Sequence, residues 1–216
     1  MAENRYDNAI FDVDGTLFDS YPGVIACVKY AYDYMHTPIP DKKTLESFLG
    51  PSLHESFRAH TDWPEEKIDR AVAAYREKYA GGEYRNVDFY PGIPALLTRL
   101  AAAGVRLTVA SSKPIEVLQK VLAYKGLGGT FEVVAAPDYS CKSSDKRDLI
   151  RRAAVGARPV MIGDRRYDAE GAAAAGIDCI GAAYGYGGRD ELTESGAAFI
   201  ADTPEQIYAI ITGETI

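Results

Sequence analysis

Residues 8–20 read NAIFDVDGTLFDS: an apolar run of strand length that drives straight into two aspartates one residue apart and then a glycine. Asp12 and Asp14 are separated by the strand period of two, so their side chains can point to the same side. Gly15 permits a backbone turn and the close approach of a ligand. Two carboxylates held together repel one another unless a cation or a shared proton intervenes. A hard divalent ion such as Mg²⁺ resolves that conflict, since it prefers oxygen ligands. The plain alternative is that Asp-Gly merely makes a turn.

Outward from this stretch, strand-like and helix-like segments alternate. Strands are expected at Asn8–Val13, Arg106–Ser111, Phe131–Ala135, Pro159–Ile162 and Asp178–Gly181, all short and apolar on both faces, as strands covered on two sides must be. Helical stripes lie between them: Ile93, Leu96, Leu97 and Leu100 before Gly104, then Ile115, Leu118, Val121 and Leu122 before Gly126. Asp145 reads as the N-cap of a helix carrying Leu149, Ile150 and Ala153, and the run from Tyr167 to Ala175 stops at Gly176. Repeated strand–helix–strand units imply an α/β fold with a parallel sheet, whose binding crevice lies at the carboxyl ends of the strands.

One interval, from Pro22 to about Arg85, breaks the alternation because it is all helical. Val24, Ile25, Val28, Ala31, Tyr32 and Met35 form one stripe, entered through Ser20 as an N-cap. Leu45, Phe48 and Leu49 mark a short second helix, Ser52 and Glu55 have capping-box spacing, and Ile68, Val72, Tyr75 and Tyr79 mark a final helix. The expected organisation is an α/β core of residues 1–20 and 86–216 with a small helical unit, residues 21–85, inserted after the first strand. The turn Phe48–Ser52 either faces a ligand or is a plain interhelical turn.

The totals narrow the class. The chain has 216 residues, 47% hydrophobic and 25% charged, enough for one large or two small domains with a real core. A net charge of −7 without a Lys/Arg block argues against nucleic acid as a partner. No long apolar run suggests a membrane span, and MAENRYDN lacks the order of a signal peptide, so a cytoplasmic protein is expected. Cys27, Cys141 and Cys179 are scattered and suit small buried residues better than a disulfide framework or a zinc site.

Three further strand ends carry chemistry. Ala110–Pro114, ASSKP, presents the hydroxyl of Ser111 and then Ser112 where a helix opens, a good place for phosphate oxygens. Lys146 sits in the first turn of a helix, awkward for a cation unless an anion is near. Gly163–Asp168, GDRRYD, ends another apolar strand in Asp164, with Asp168 four residues on. Converging in one crevice, these groups suit a metal and a phosphate held together.

With these four segments the chain resembles the haloacid dehalogenase superfamily, specifically its metal-dependent phosphatases with a helical cap after the first motif. DVDGTLFDS matches the first signature, ASSKP the second, Lys146 the third, and GDRRYD followed by AEGAAAAG the fourth; the closing stretch from Ile180 to Ile207 looks like the phosphoglycolate-phosphatase-like branch. The resemblance implies a Rossmann-like core with a parallel sheet and a cap, Asp12 as nucleophile, and Asp14 as general acid and base. It implies Mg²⁺ held by Asp12, the Asp14 backbone carbonyl and Asp164, with Asp168 supporting the metal or orienting Lys146. Ser111, Ser112, Gly15 and Lys146 would bind the phosphoryl group of a small phosphorylated metabolite. Within CKSSDKRD, Lys142 remains an alternative to Lys146. Phosphoglycolate, a sugar phosphate or a nucleoside monophosphate are all admissible substrates. A β-phosphoglucomutase-like phosphomutase and a non-catalytic regulatory protein are the rival readings.

Overall fold

The four residues Asn8–Phe11 are fully buried and form β1, the strand on which everything else is arranged. The computed structural model describes residues 4–142 and 144–214; positions 1–3, 143 and 215–216 of the expected core lie outside the described residues. After β1 come β2 (Phe18–Asp19), α1 (Tyr21–Tyr34), α2 (Lys42–Glu46), α3 (Leu53–His60), α4 (Glu65–Ala80) and β3 (Asp88–Phe89). The chain continues through α5 (Ile93–Ala102), β4 (Arg106–Ala110), α6 (Ile115–Tyr124), β5 (Val133–Ala135), α7 (Lys146–Ala153) and β6 (Pro159–Gly163). It ends with α8 (Arg166–Ala175), β7 (Asp178–Ala182), α9 (Gly188–Glu194), β8 (Phe199–Ala201) and α10 (Pro204–Thr212).

Six strands pair in the order β5-β4-β1-β6-β7-β8, all parallel. From β1 the chain goes to β4 and outward to β5, then returns to β6 on the other side of β1. That reversal opens a crevice at the carboxyl end of β1, where the two aspartates sit. Strand periodicity divides the interior: Ala9 and Phe11 join one apolar cluster with α5, α6 and α10, whereas Ile10 joins another with α7 and α8. Both faces are covered, which is why these strands are mostly apolar, and the buried polar pair within them is satisfied by Asn8 Nδ2 donating to Thr108 Oγ1 at 3.0 Å.

The five expected strands are present, each shifted by at most two residues at an end. β8 and the antiparallel pair β2–β3 add to them; the Phe18 and Phe89 rings meet across that pair, tilted, with centroids 4.9 Å apart. Helices α1 to α4 bury an apolar cluster that α6 joins through Val117, with Tyr32 and Phe57 each in ring contact with Phe48 and Trp63 and with one another. The capping box on α3 forms as its spacing indicates: the Ser52 hydroxyl accepts from the Glu55 amide and Glu55 reaches back to Ser52.

Two local expectations need correction. The second helix ends at Glu46, with Phe48 and Leu49 in the turn beyond it; both are buried, so apolarity there reported burial without helix. Ser20 precedes α1 but makes no capping bond, because its hydroxyl is committed to Asp14. Of the cysteines, Cys27 and Cys179 are buried and Cys141 is exposed.

Candidate active site

β1 hands its last ladder bond to Asp12, whose amide donates to Ile162 O at 2.8 Å. The Asp12 side chain lies on the same face as Ile10, and there it meets Lys146, the first residue of α7. Lys146 Nζ is 2.7 Å from Asp12 Oδ1 and 2.8 Å from Asp168 Oδ1, with only 10% of its side chain exposed. Asp145 makes this placement possible by capping α7: its carboxylate accepts the Arg147 amide at 2.9 Å. An ammonium at a helix N-terminus opposes the helix dipole, and two carboxylates over the same turn reverse that balance.

Asp164, directly after β6, is fully buried. Its Oδ1 accepts from the Thr16 hydroxyl at 2.9 Å and its Oδ2 from the Tyr186 amide at 2.9 Å. Two glycines let backbone close on it. A Cβ at Gly15, where φ is +87°, would lie 2.1 Å from Asp164 Oδ2; one at Gly185 would lie 2.3 Å from the Asp164 Cβ. The glycine-rich segment after β7 therefore serves as a wall of the carboxylate site.

Carboxylate oxygens of Asp12, Asp164 and Asp168 lie within 4.8 Å of one another. Burial lifts the Asp12 carboxyl above its ordinary range; Lys146 opposes this, and Asp168 and Asp14 add to it. Burial also lifts Asp164, reinforced by Asp168 and Asp12 against the Tyr186 and Thr16 donors. Burial alone would lower Lys146, but Asp12 and Asp168 more than restore it, so the ammonium stays charged. Three clustered carboxyls against one ammonium would carry a buried excess of negative charge when ionised, which is why two of them are lifted. An oxygen-ligated divalent cation is the group whose chemistry fits that donor set.

Asp14 stands apart from this trio. Its Oδ1 accepts from Ser20 Oγ at 2.6 Å and its Oδ2 from Lys113 Nζ at 2.8 Å. Ser111, at the end of β4, is 2% exposed and accepts the Lys113 amide at 3.2 Å. Asp12, Asp14, Ser111, Ser112, Lys146 and Asp168 line one cleft, whose opposite wall comes from the helices: Val24, Phe48 to His54, Tyr75, Arg76 and Tyr79. The turn Phe48–Ser52 thus borders the cleft. Lys142 lies elsewhere, its Nζ 2.7 Å from Asp69 Oδ1 on α4, so of the two lysines it is Lys146 that reaches Asp12.

Sequence reasoning assigned no part here to Thr16, Ser20, Lys113 or Tyr186. Lys113 lies in ASSKP and Tyr186 in the glycine-rich segment after β7, but only the folded chain shows that both reach the carboxylates. Thr16 and Ser20 are small hydroxyl residues in a turn, and no spacing rule singles them out.

A family model described as haloacid dehalogenase-like hydrolase matches residues 9–182. The chain is 35% identical over 194 residues to a 5'-nucleotidase of Pseudomonas aeruginosa, covering 87% of each. It is 34% identical over 196 residues to the tyrosine-protein kinase PtkA of Mycobacterium tuberculosis, covering 88% of this chain and 67% of that one. A phosphoglycolate phosphatase of Cupriavidus necator is 28% identical over 212 residues, covering 94% and 92%. Among solved structures, a predicted phosphatase of Clostridium acetobutylicum superposes with a TM-score of 0.88 at 33% identity, covering 94% of this chain and 96% of that one. The parallel sheet, the acids at its carboxyl edge and these matches together place the chain in the haloacid dehalogenase-like hydrolase family, on the side of its phosphatases.

Proposed function

We propose that the chain is a Mg²⁺-dependent hydrolase of a small-metabolite phosphate monoester, working through a phosphoryl group carried on Asp12. The observation that carries this reading is the convergence of Lys146 with Asp12 and Asp168 above buried Asp164. Asp12, Asp164 and Asp168 would hold Mg²⁺, together with the Asp14 carbonyl that the family resemblance implies. The ion, when bound, neutralises charge on the phosphoryl oxygens.

In the first step an Asp12 oxygen attacks phosphorus and the bond to the leaving oxygen breaks; Asp14 gives that oxygen its proton. In the second, water attacks phosphorus, Asp14 takes the water's proton, and the Asp12 carboxylate leaves. Lys146 offsets the repulsion between the Asp12 carboxylate and the incoming phosphate dianion. Ser111 offers a hydroxyl to a phosphoryl oxygen. The helices α1–α4 act as a cap that excludes bulk water from the first step.

Phosphoglycolate-type substrates lead, on the resemblance of the closing segment. A nucleoside monophosphate is the second reading, favoured by the cleft's aromatic wall of Phe48, Tyr75, Tyr79 and Tyr139 and by the 5'-nucleotidase relative. Phosphate release from a panel of phosphorylated metabolites, with Mg²⁺ and with EDTA, tests the proposal. Turnover should need the ion, and denaturing a reacting sample should trap phosphate on the wild-type chain and none on Asp12→Asn. Full turnover by Asp12→Asn, or indifference to EDTA, sinks it; the panel ranks the substrates.

A further inference from the structure

Asp14 is held by two groups, and both lead to the helical unit. Ser20, which bonds Oδ1, is the last residue before α1, and its amide donates to the Tyr186 hydroxyl at 2.8 Å. Lys113, which bonds Oδ2, has 7% of its side chain exposed and lies 4.8 Å from the centre of the Tyr79 ring on α4. An ammonium over an aromatic face is drawn to it electrostatically, the more so when desolvated. Tyr79 is itself 2% exposed and lines the cleft. The ammonium therefore bridges the face of a cap helix and the carboxylate that moves the proton.

We infer that Lys113 is a positioning residue for Asp14: when α4 seats over the cleft, the Tyr79 ring fixes the ammonium, and the ammonium fixes the carboxylate against the leaving oxygen. Proton delivery is thereby tied to the presence of the cap. The inference rests on the proposed role of Asp14 and adds to it the residues that aim it.

Leaving-group dependence reads this out. p-Nitrophenolate departs without a proton, whereas an alkoxide such as that of glycerol 1-phosphate needs one. The probes are therefore p-nitrophenyl phosphate and glycerol 1-phosphate, with Asp14→Asn as the reference. Lys113→Met should lose about 10²-fold in kcat on the alkyl ester while losing far less on the aryl ester, as expected when an acid is misplaced by an ångström. Tyr79→Phe keeps the aromatic face and should retain the wild-type ratio of the two rates; Tyr79→Leu should shift it towards that of Lys113→Met. Circular dichroism confirms that each variant folds, and Lys113→Arg supplies a charged replacement that should recover part of the ratio.

Equal losses on both esters in Lys113→Met, or a rise confined to KM, would overturn the inference and make Lys113 a phosphate ligand instead. A Tyr79→Leu chain with the wild-type ratio would overturn the coupling to the cap. If Asp14→Asn itself shows no difference between the esters, the proposed acid role fails, which is a separate outcome.

Discussion

Asp164 shows how much of a site can rest on residues that carry no chemistry. It is fully buried among other acids, and its oxygens are satisfied by one hydroxyl, Thr16, and one backbone amide, Tyr186. Both donors can approach only because positions 15 and 185 lack a Cβ. Gly15 is doubly constrained, since its φ of +87° is costly for any other residue. Gly15→Ala should therefore push the Asp164 carboxylate out of place. The expected result is a loss of apparent Mg²⁺ affinity of about 10–100-fold, the range seen when partners of a metal ligand are removed. Thr16→Val, which deletes the donor and keeps the shape, should fall in the same range, while Thr16→Ser stays near wild type. Titrating turnover with Mg²⁺ measures all three. An unchanged Mg²⁺ requirement in Gly15→Ala would show that Asp164 is not held by the backbone closing on it.

At the level of elements, α7 is the clearest case of sequence and structure agreeing for a physical reason. Asp145 reads as an N-cap in the sequence and caps the helix in the structure. The cap sets the first turn, and the first turn carries Lys146 to Asp12. Asp145→Ala should cost about 1 kcal/mol of stability, the usual value of a lost cap. It should also lower kcat more than that loss suggests, because the frayed turn is the one bearing the ammonium. Asp145→Asn should restore most of both, by urea unfolding and by initial rates; equal impairment in Asn and Ala would refute the capping account. The central strands were legible because burial on both faces leaves them mostly apolar, and Asp12, Asp14 and Asp164 were legible as a set, since an acid after one such strand alone reads as readily as a turn. Other features were not. Phe48 and Leu49 looked helical because burial and helix share an apolar signature over so short a run. β2 and β3 are two residues each and exist through a pairing of positions about seventy residues apart, which local pattern cannot express. Lys113 was visible as a residue, but its direction towards Asp14 depends on how β4 sits beside β1.

Over the whole molecule, the helical unit and the sheet have largely distinct apolar interiors, bridged by Val117 of α6 and by Tyr84, and polar contacts join them around the cleft. The segment between β5 and α7 supplies many of these. Arg76 Nη1 donates to Tyr139 O at 2.8 Å, Ser52 Oγ donates to Lys142 O at 3.1 Å, and Lys142 Nζ grips Asp69 at 2.7 and 2.9 Å. On the other flank Arg165 bonds the Leu49 carbonyl. An interface with so few apolar bridges and several exposed polar bonds exposes little interior when it parts, which suits a cap that moves. The Lys142–Asp69 pair is nearly half exposed on both sides, so high salt, where the Debye length falls to about 3 Å at 1 M, should weaken it. Lys142→Met should therefore shift kcat and KM together, towards a cap that is more often open, while leaving the thermal midpoint almost unchanged. Wild-type KM should rise between low and high salt, and that salt response should be flatter in Lys142→Met and in Asp69→Asn. Initial-rate curves across a salt series, with a non-interacting salt pair as control for ion-specific effects, make the comparison. If Lys142→Met keeps the wild-type salt profile, or if its thermal midpoint drops with unchanged kinetics, the contact is structural cement and closure is governed elsewhere in the interface.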